Sequence, residues 1–326
     1  MKSLLQLRHI RVENANAITG LTWGFPGIAN FLGFTHALSR KLDQRCGLTL
    51  GGCAVIGHEH QVQAYQPGGW GEHVFALTRN PLTREGNTAP FNEEGRMHMT
   101  VTLLIECEFD AEEINLAGGT LEQKIAGLKE LVHELALCQR LAGGTITDIA
   151  QVRWQELERD QKERARMTRR LMLGLLPGFV LVDRHDVLAA HHRQRQEQAS
   201  GSQIELLDSL LDFVALKYQP ETGENQEKVE WRRQPKPSPG YLVPIAVGYQ
   251  AISPLYDPGT VANSRDPDTP FRFVESVYSL GQWLSPHRVN ELETIFWSYR
   301  YQDELYLCSN AYQEDDEESN DFEDNF

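Results

Sequence analysis

Met97-His98-Met99-Thr100-Val101-Thr102-Leu103-Leu104-Ile105 is the stretch whose reading decides the fold. Met97, Met99, Val101, Leu103 and Ile105 alternate with His98, Thr100 and Thr102, the period-two pattern of a strand with one face in a core. Downstream, Leu121, Ile125, Leu128, Val132, Leu135 and Cys138 recur every three or four residues. That spacing predicts an amphipathic helix, closed by Gly143-Gly144. Upstream, residues 4 to 12 read as a strand whose apolar parity slips from Leu5 and Leu7 to Ile10 and Val12, the mark of a bulge. After Pro26, Ile28, Phe31, Leu32, Leu38 and Leu42 follow helical spacing, and residues 48 to 65 are strand-like up to the Pro67-Gly68-Gly69 turn. The order strand, helix, strands, helix, strand gives an α+β class and suits a ferredoxin-like unit, while leaving other α+β folds open. Further on, 155 to 174 and 185 to 217 read as helical. Tyr218 to Gly240 is polar and Pro-rich and reads as a surface loop. No internal repeat is visible.

The chain has 326 residues, 40% of them hydrophobic, enough for a large core in one domain or two. It has no apolar run near 18 residues and no charged-then-apolar leader, so neither a membrane span nor a signal peptide is expected. Five widely spaced cysteines without a Cys-x-x-Cys pair point to a reduced, cytoplasmic protein rather than a disulfide framework or zinc ribbon. The formal charge is −15. Ten acidic residues and no Lys or Arg follow residue 302, and removing those ten leaves −5 for the body. Between Arg153 and Arg170, seven Lys or Arg face four acids. One basic surface on an acidic body suits a partial RNA contact better than strong unaided nucleic-acid binding.

Asn14 to His36 joins the first strand to the first helix with two Asn, a Trp, a Phe and a Pro framed by glycines. Amides and flat aromatic faces can hold unstacked bases of single-stranded RNA. An ordinary strand-to-helix turn, with Trp23 and Phe25 as core anchors, explains the same residues.

Asn14-Ala15-Asn16-Ala17-Ile18 followed by Leu21-Thr22-Trp23-Gly24-Phe25-Pro26 resembles the N-terminal signature of the second Csy-series subunits of type I-F CRISPR surveillance complexes. Matches continue in order: Leu77-Thr78-Arg79-Asn80-Pro81-Leu82, Glu93-Glu94-Gly95-Arg96, Arg140-Leu141-Ala142-Gly143-Gly144 and Leu176-Pro177-Gly178-Phe179. Leu242-Val243-Pro244-Ile245, Ser253-Pro254-Leu255-Tyr256, Arg272-Phe273-Val274-Glu275 and the run from Trp283 to Val289 complete the set, so the resemblance spans roughly residues 4 to 298. It implies a RAMP-superfamily, RNA-recognition-like palm (ferredoxin-like) over residues 1–302, with a thumb inserted at about 78–95 and the surface loop at 218–240. The acidic residues 303–326 are expected to form a disordered tail. The implied function is that of a non-catalytic subunit binding the 5′ handle of the CRISPR RNA. Its implied partners are the complex's large subunit, the first backbone subunit of the filament and, in the assembled complex, target DNA. No cofactor or metal is implied. A metal-independent endoribonuclease that processes guide precursors is the alternative, since related subunits do that chemistry.

The remaining constellations are ambiguous by themselves. His58-Glu59-His60 could offer two imidazoles to a metal, but no third ligand is spaced for it, and an exposed strand face explains it. His191-His192 point about 100° apart on a helix, a poor chelate. No Walker loop, nucleophile elbow, zincin or dinucleotide fingerprint is present. His36 is the one candidate general base by location, although it sits among Phe34, Ala37 and Leu38. Gly143-Gly144 would admit a phosphate or simply cap a helix. Arg159, Lys162, Arg166, Arg169 and Arg170 recur along one stripe that either meets RNA phosphates or is a solvated face. The candidate RNA-binding set is Asn14, Asn16, Trp23 and Phe25 for bases and sugars, Arg79, Arg84, Arg96, Arg169 and Arg170 for phosphates, and Gly143 and Gly144 for close backbone approach.

Overall fold

The alternating stretch becomes β3 (Arg96–Glu108), and both of its edges are paired. On one side runs β1 (Lys2–Asn16), on the other β2 (Leu50–Val62), both antiparallel to it. A computed structural model describes residues 2–108, 114–199, 203–222 and 229–311. Within them, β4 (Arg140–Leu141), β5 (Gly144–Glu156), β6 (Phe179–Asp183), β7 (Leu242–Ala251), β8 (Val274–Leu284), β9 (Ser298–Gln302) and β10 (Leu305–Ser309) complete one ten-stranded sheet. Its order is β4-β5-β1-β3-β2-β6-β8-β7-β10-β9, with every pairing antiparallel. The class is thus mixed α/β, with a large antiparallel sheet and, among the described residues, five α-helices.

The parity slip in β1 has a physical cause. His9 takes φ 51° and the β1–β3 register shifts between Leu7 and Ile10, so Leu5, Leu7, Ile10 and Val12 all reach one core. That core lies under α1 (Ile28–Cys46) and α2 (Leu121–Leu137). Phe31, Leu38 and Leu42 of α1 and Leu128 and Val132 of α2 are fully buried there against Leu103 and Ile105. Thr120 starts α2 with a reciprocal capping box to Gln123. The opposite sheet face is covered as well. α3 (Gln161–Leu173) and the turn Leu292–Ile295 bury Leu4, Ala54, Ile56 and Leu104, which is why the polar side of β3 ends at Thr102. A third cluster joins α4 (His185–Gln198) and α5 (Leu206–Val214) to β7 and β8 through Leu188, Phe213, Leu242 and Leu280.

Several expectations change. Gly143-Gly144 does not close α2, which ends at Cys138. It turns the β4–β5 hairpin, where Ala142 (φ 51°) and Gly143 (φ 75°) supply two successive positive φ values. A Cβ on Gly144 would lie 2.7 Å from the β1 backbone at Glu13 and Ala15, so close strand packing requires glycine there. The basic run is not one helix. Arg153 still belongs to β5, and α3 begins only after Asp160, whose carboxylate accepts from the Lys162 and Glu163 amides at 3.1 Å. The helical stretch at 185 to 217 is broken into α4 and α5. The surface loop at 218–240 contains a two-stranded ladder, Tyr218–Thr222 with Val229–Arg233. The insertion after β2 starts before residue 78: Ala64–Tyr65 pairs with Val74–Phe75, and Leu77–Arg79 with Phe91–Glu93. The tail boundary at 302/303 falls inside the β9–β10 hairpin, because Leu305 and Leu307 pair β7 and Cys308 is buried. Residues 312–326, the rest of that expected tail, lie outside the described residues. Among the described residues no helix is long and apolar enough to cross a membrane.

Candidate nucleic-acid interface

The link from β1 to α1 forms a two-residue hairpin, Ile18–Thr19 with Thr22–Trp23, whose tip leans on β8 through a 2.6 Å bond from the Leu21 amide to the Tyr278 hydroxyl. Gly20 (φ 57°) turns it, and a Cβ there would collide with that hydroxyl. The hairpin walls a cleft of about 620 Å³ between α1, β2 and the β6–β8–β7 part of the sheet. Phe25 and Trp283 form its floor, edge to face at 4.9 Å, with Phe25 stacked on Phe31 at 5.5 Å. Trp23 (60% exposed), Phe179 (53%) and Tyr241 (69%) stand around its mouth. Trp23 is steadied edge-on by Phe75 of the insertion at 5.7 Å. Exposed aromatics round an apolar cleft of this size can clamp a planar ring.

His58 of β2 lines the cleft at its border with the opposite sheet face. Its Nδ1 bonds the Pro177 carbonyl and its Nε2 the Thr102 hydroxyl, both at 2.7 Å, while its ring stacks on His9 at 4.3 Å. Burial, opposed by the Pro177 carbonyl and reinforced by His9 and Arg8, lowers its pKa from the usual 6.5. Both nitrogens are committed, so His58 and His60 form no chelating pair. Among the described residues no three His, Cys, Asp or Glu side chains gather into a metal-binding set. His191 and His192 instead tie α4 to α5, through Asp212 at 2.8 Å and Ser209 at 2.9 Å. The Asp212 carboxylate is opposed by its burial, but Lys217, His191 and Arg195 together hold it below the usual range. His36 lies on the exposed face of α1 over Tyr299 and does not line the cleft.

The other sequence candidates separate. Asn14 (φ 55°) sits at a second β1 bulge, its Oδ1 accepting from Gln63 at 2.7 Å and its carbonyl from Arg96 at 3.5 Å. Arg96 is forked onto Glu94 at 2.7 Å and 2.8 Å, so much of its donor capacity is spent inside the chain. Asn16 closes a local turn onto Ile18. Arg84 is exposed at a turn of the insertion. Arg79 belongs to the Leu77–Arg79 strand, and its side chain lies outside the described residues. Arg169 and Arg170 are exposed on α3. The structure therefore gathers Trp23 and Phe25 into one cleft and leaves Asn14, Asn16 and Arg96 beside the foot of the hairpin. Phe179, Tyr241 and Trp283 went unassigned from sequence. Phe179 and Trp283 stood in recognisable motifs, but nothing in one dimension joins them to Trp23.

A second cleft, of about 400 Å³, opens between β1, β5 and α3. Arg8, Arg153, Arg166 and Arg170 line it with the amides of Gln6 and Gln155 and the carboxylates of Glu158 and Glu163. Glu163 is matched by Arg166 at 2.6 Å. Arg8 is 9% exposed and donates to the Gly174 carbonyl. Burial, and then the Arg153 charge, make its protonated form less favourable than usual.

A family model described as CRISPR-associated protein (Cas_Csy2) matches residues 5–308 of this chain. The chain is also similar to the CRISPR-associated protein Csy2 of Pseudomonas aeruginosa (strain UCBPP-PA14). The two are 40% identical over 309 residues, covering 91% of each chain.

Proposed function

The chain belongs to the Csy2 family of CRISPR-associated proteins, and from that premise we propose that it is a non-catalytic subunit of a type I-F Csy complex that holds the 5′ handle of the CRISPR RNA. In this reading it pairs with the large subunit and abuts the first backbone subunit of the filament. Its β1-α1-β2-β3-α2-β5 half is the palm, ferredoxin-like by its strand order β5-β1-β3-β2 under two helices. The insertion between β2 and β3 acts as the thumb.

The observation that carries this proposal is the aromatic cleft. Trp23, Phe179 and Tyr241 present wide flat faces to solvent round an apolar floor, a costly arrangement for a surface with nothing to bind. Base stacking on such faces tolerates any sequence, while selectivity would come from amide contacts at the hairpin foot. The test is binding of labelled handle RNA by the complex of this chain with its large subunit. Trp23→Ala should weaken binding by about 1–3 kcal/mol and leave the melting temperature unchanged. Unchanged affinity in Trp23→Ala, Phe179→Ala and Tyr241→Ala alike would reject the cleft as the RNA site. Defined cleavage of repeat RNA that survives chelator and is lost in His36→Ala would reject the non-catalytic reading.

A further inference from the structure

The cleft between β1, β5 and α3 has features that packing alone does not explain. Gln6 is 1% exposed in the strand that carries Leu4, Leu5 and Leu7. Its Nε2 donates to Gln155 at 3.1 Å, but its buried Oε1 has no partner. An orphaned buried acceptor costs on the order of 1–3 kcal/mol unless something supplies a donor. Around that acceptor the fold concentrates positive charge. Gln6 stands opposite Arg153 in the β1–β5 ladder, Arg8 is buried nearby, and Arg166 and Arg170 approach from α3. With Glu163 already taken by Arg166, Glu158 is the one carboxylate left among the described lining residues to offset Arg8, Arg153 and Arg170. The cleft is matched to an occupant that brings both negative charge and a neutral hydrogen-bond donor. A nucleotide unit has both, a phosphate together with a sugar hydroxyl or base amine.

The two clefts share no lining residue, but one short segment of chain runs from the first to the second. The Gly174 carbonyl that holds Arg8 ends α3, and the next five residues, Leu175 to Phe179, lead to the aromatic mouth. Fully extended they span at most ~17 Å. Along this border the Pro177 carbonyl grips His58, and His58 stacks on His9, the neighbour of Arg8. We propose that the β1–β5–α3 cleft is a second nucleotide-binding subsite, which takes a phosphate of the same RNA strand whose base is stacked at Trp23. This rests on the RNA reading of the aromatic cleft, and adds Gln6, Arg8, Arg153 and Gln155 to the site. It gives the strand a direction across the molecule, over the His9–His58 stack from one sheet face to the other.

The test uses fluorescence anisotropy of the complex of the full chain and its large subunit with two oligouridylates, one of four nucleotides and one of twelve, across a salt series. Arg153 and Arg170 are exposed, so the double variant Arg153→Ala/Arg170→Ala keeps the core, checked by near-ultraviolet circular dichroism. It should leave tetranucleotide binding within twofold, weaken the longer RNA tenfold or more, and lower the slope of log affinity against log salt by about 1.4, at ~0.7 per lost phosphate contact. Gln6→Leu should weaken the longer RNA with its salt slope unchanged. Trp23→Ala should weaken both lengths. Wild-type affinity and slope in the double variant, with Trp23→Ala still impaired, would overturn the subsite and leave the proposed function standing. No binding of either length by the wild-type complex would overturn both. A polyglutamate peptide that binds the wild type but not the double variant, with RNA binding equal in the two, would make the cleft a protein dock and overturn the inference.

Discussion

Trp23 and Phe25 are two residues apart, and the structure gives them opposite tasks. Phe25 is held between Phe31 and Trp283, so Phe25→Ala should destabilise the fold by about 3 kcal/mol, the low end for aromatic truncations in a core. Trp23→Ala should leave urea denaturation unmoved. Composition announced an aromatic pair there but could not divide it, since Phe31 and Trp283 decide which ring is buried. Thiols sort by the same logic of surroundings. Burial pushes Cys53, Cys107 and Cys308 up to about 12, and Cys46 in the same direction, whereas Cys138 is exposed. Ellman's reagent at pH 8 should therefore titrate Cys138 promptly and the other four only after denaturation. His58 adds a pH dependence. Its folded pKa lies below 6.5, so in the window beneath 6.5 the unfolded chain binds a proton that the folded one does not. Stability should fall as pH drops through that window until the folded pKa is reached. Denaturation midpoints of His58→Gln at pH 5.5 and 7.5 should differ less than those of the wild type.

At the scale of elements, periodicity succeeded where one face met one core. β3, α1 and α2 were legible almost to their ends because β-sheet alternation and helical spacing were clean there. The run 155 to 174 misled because Arg and Glu are good helix formers, while Asp160, the side chain that caps α3, looks like one more charge. β10 was illegible for a different reason. Leu305, Leu307 and Cys308 are a short apolar island in an acidic sequence, and only pairing with β7 and β9 makes them a strand. Two truncations follow from this. A chain ending at residue 311 keeps every described strand and should melt like the full one. A chain ending at 302 strips β7 and β9 of their partner and exposes the Cys308 site, so its melting temperature should drop by several degrees. Equal melting curves for both would mean that β10 adds nothing.

For the molecule as a whole, sequence foretold the first half of the sheet and left the second half as motifs without elements. Strands β6, β7 and β8 are short or tolerant of glycine and proline, and their place is fixed by contacts across more than a hundred residues. Trp297 is the clearest such contact. It is fully buried, its indole donates to the Leu181 carbonyl at 2.9 Å, and its backbone exchanges two hydrogen bonds with Cys53 of β2. The two halves of the sheet are therefore expected to melt together. Trp297→Ala should cost about 3–5 kcal/mol, as for other buried aromatics. It should shift far-ultraviolet and near-ultraviolet transitions equally, and separated transitions would show two independent units.

The place of β1 in the sheet also sets a timetable. β1 lies between β3 and β5, and both of them are made after it. At about 5–20 residues per second, β3 trails the end of β1 by roughly 4–16 s, and β5 by longer still. For that interval Leu4, Leu5, Leu7, Ile10 and Val12 have no sheet to join, and the newborn chain carries an unpaired apolar strand. Synthesis of this protein is thus exposed to aggregation early, and slowing translation before β3 would lengthen the danger rather than relieve it.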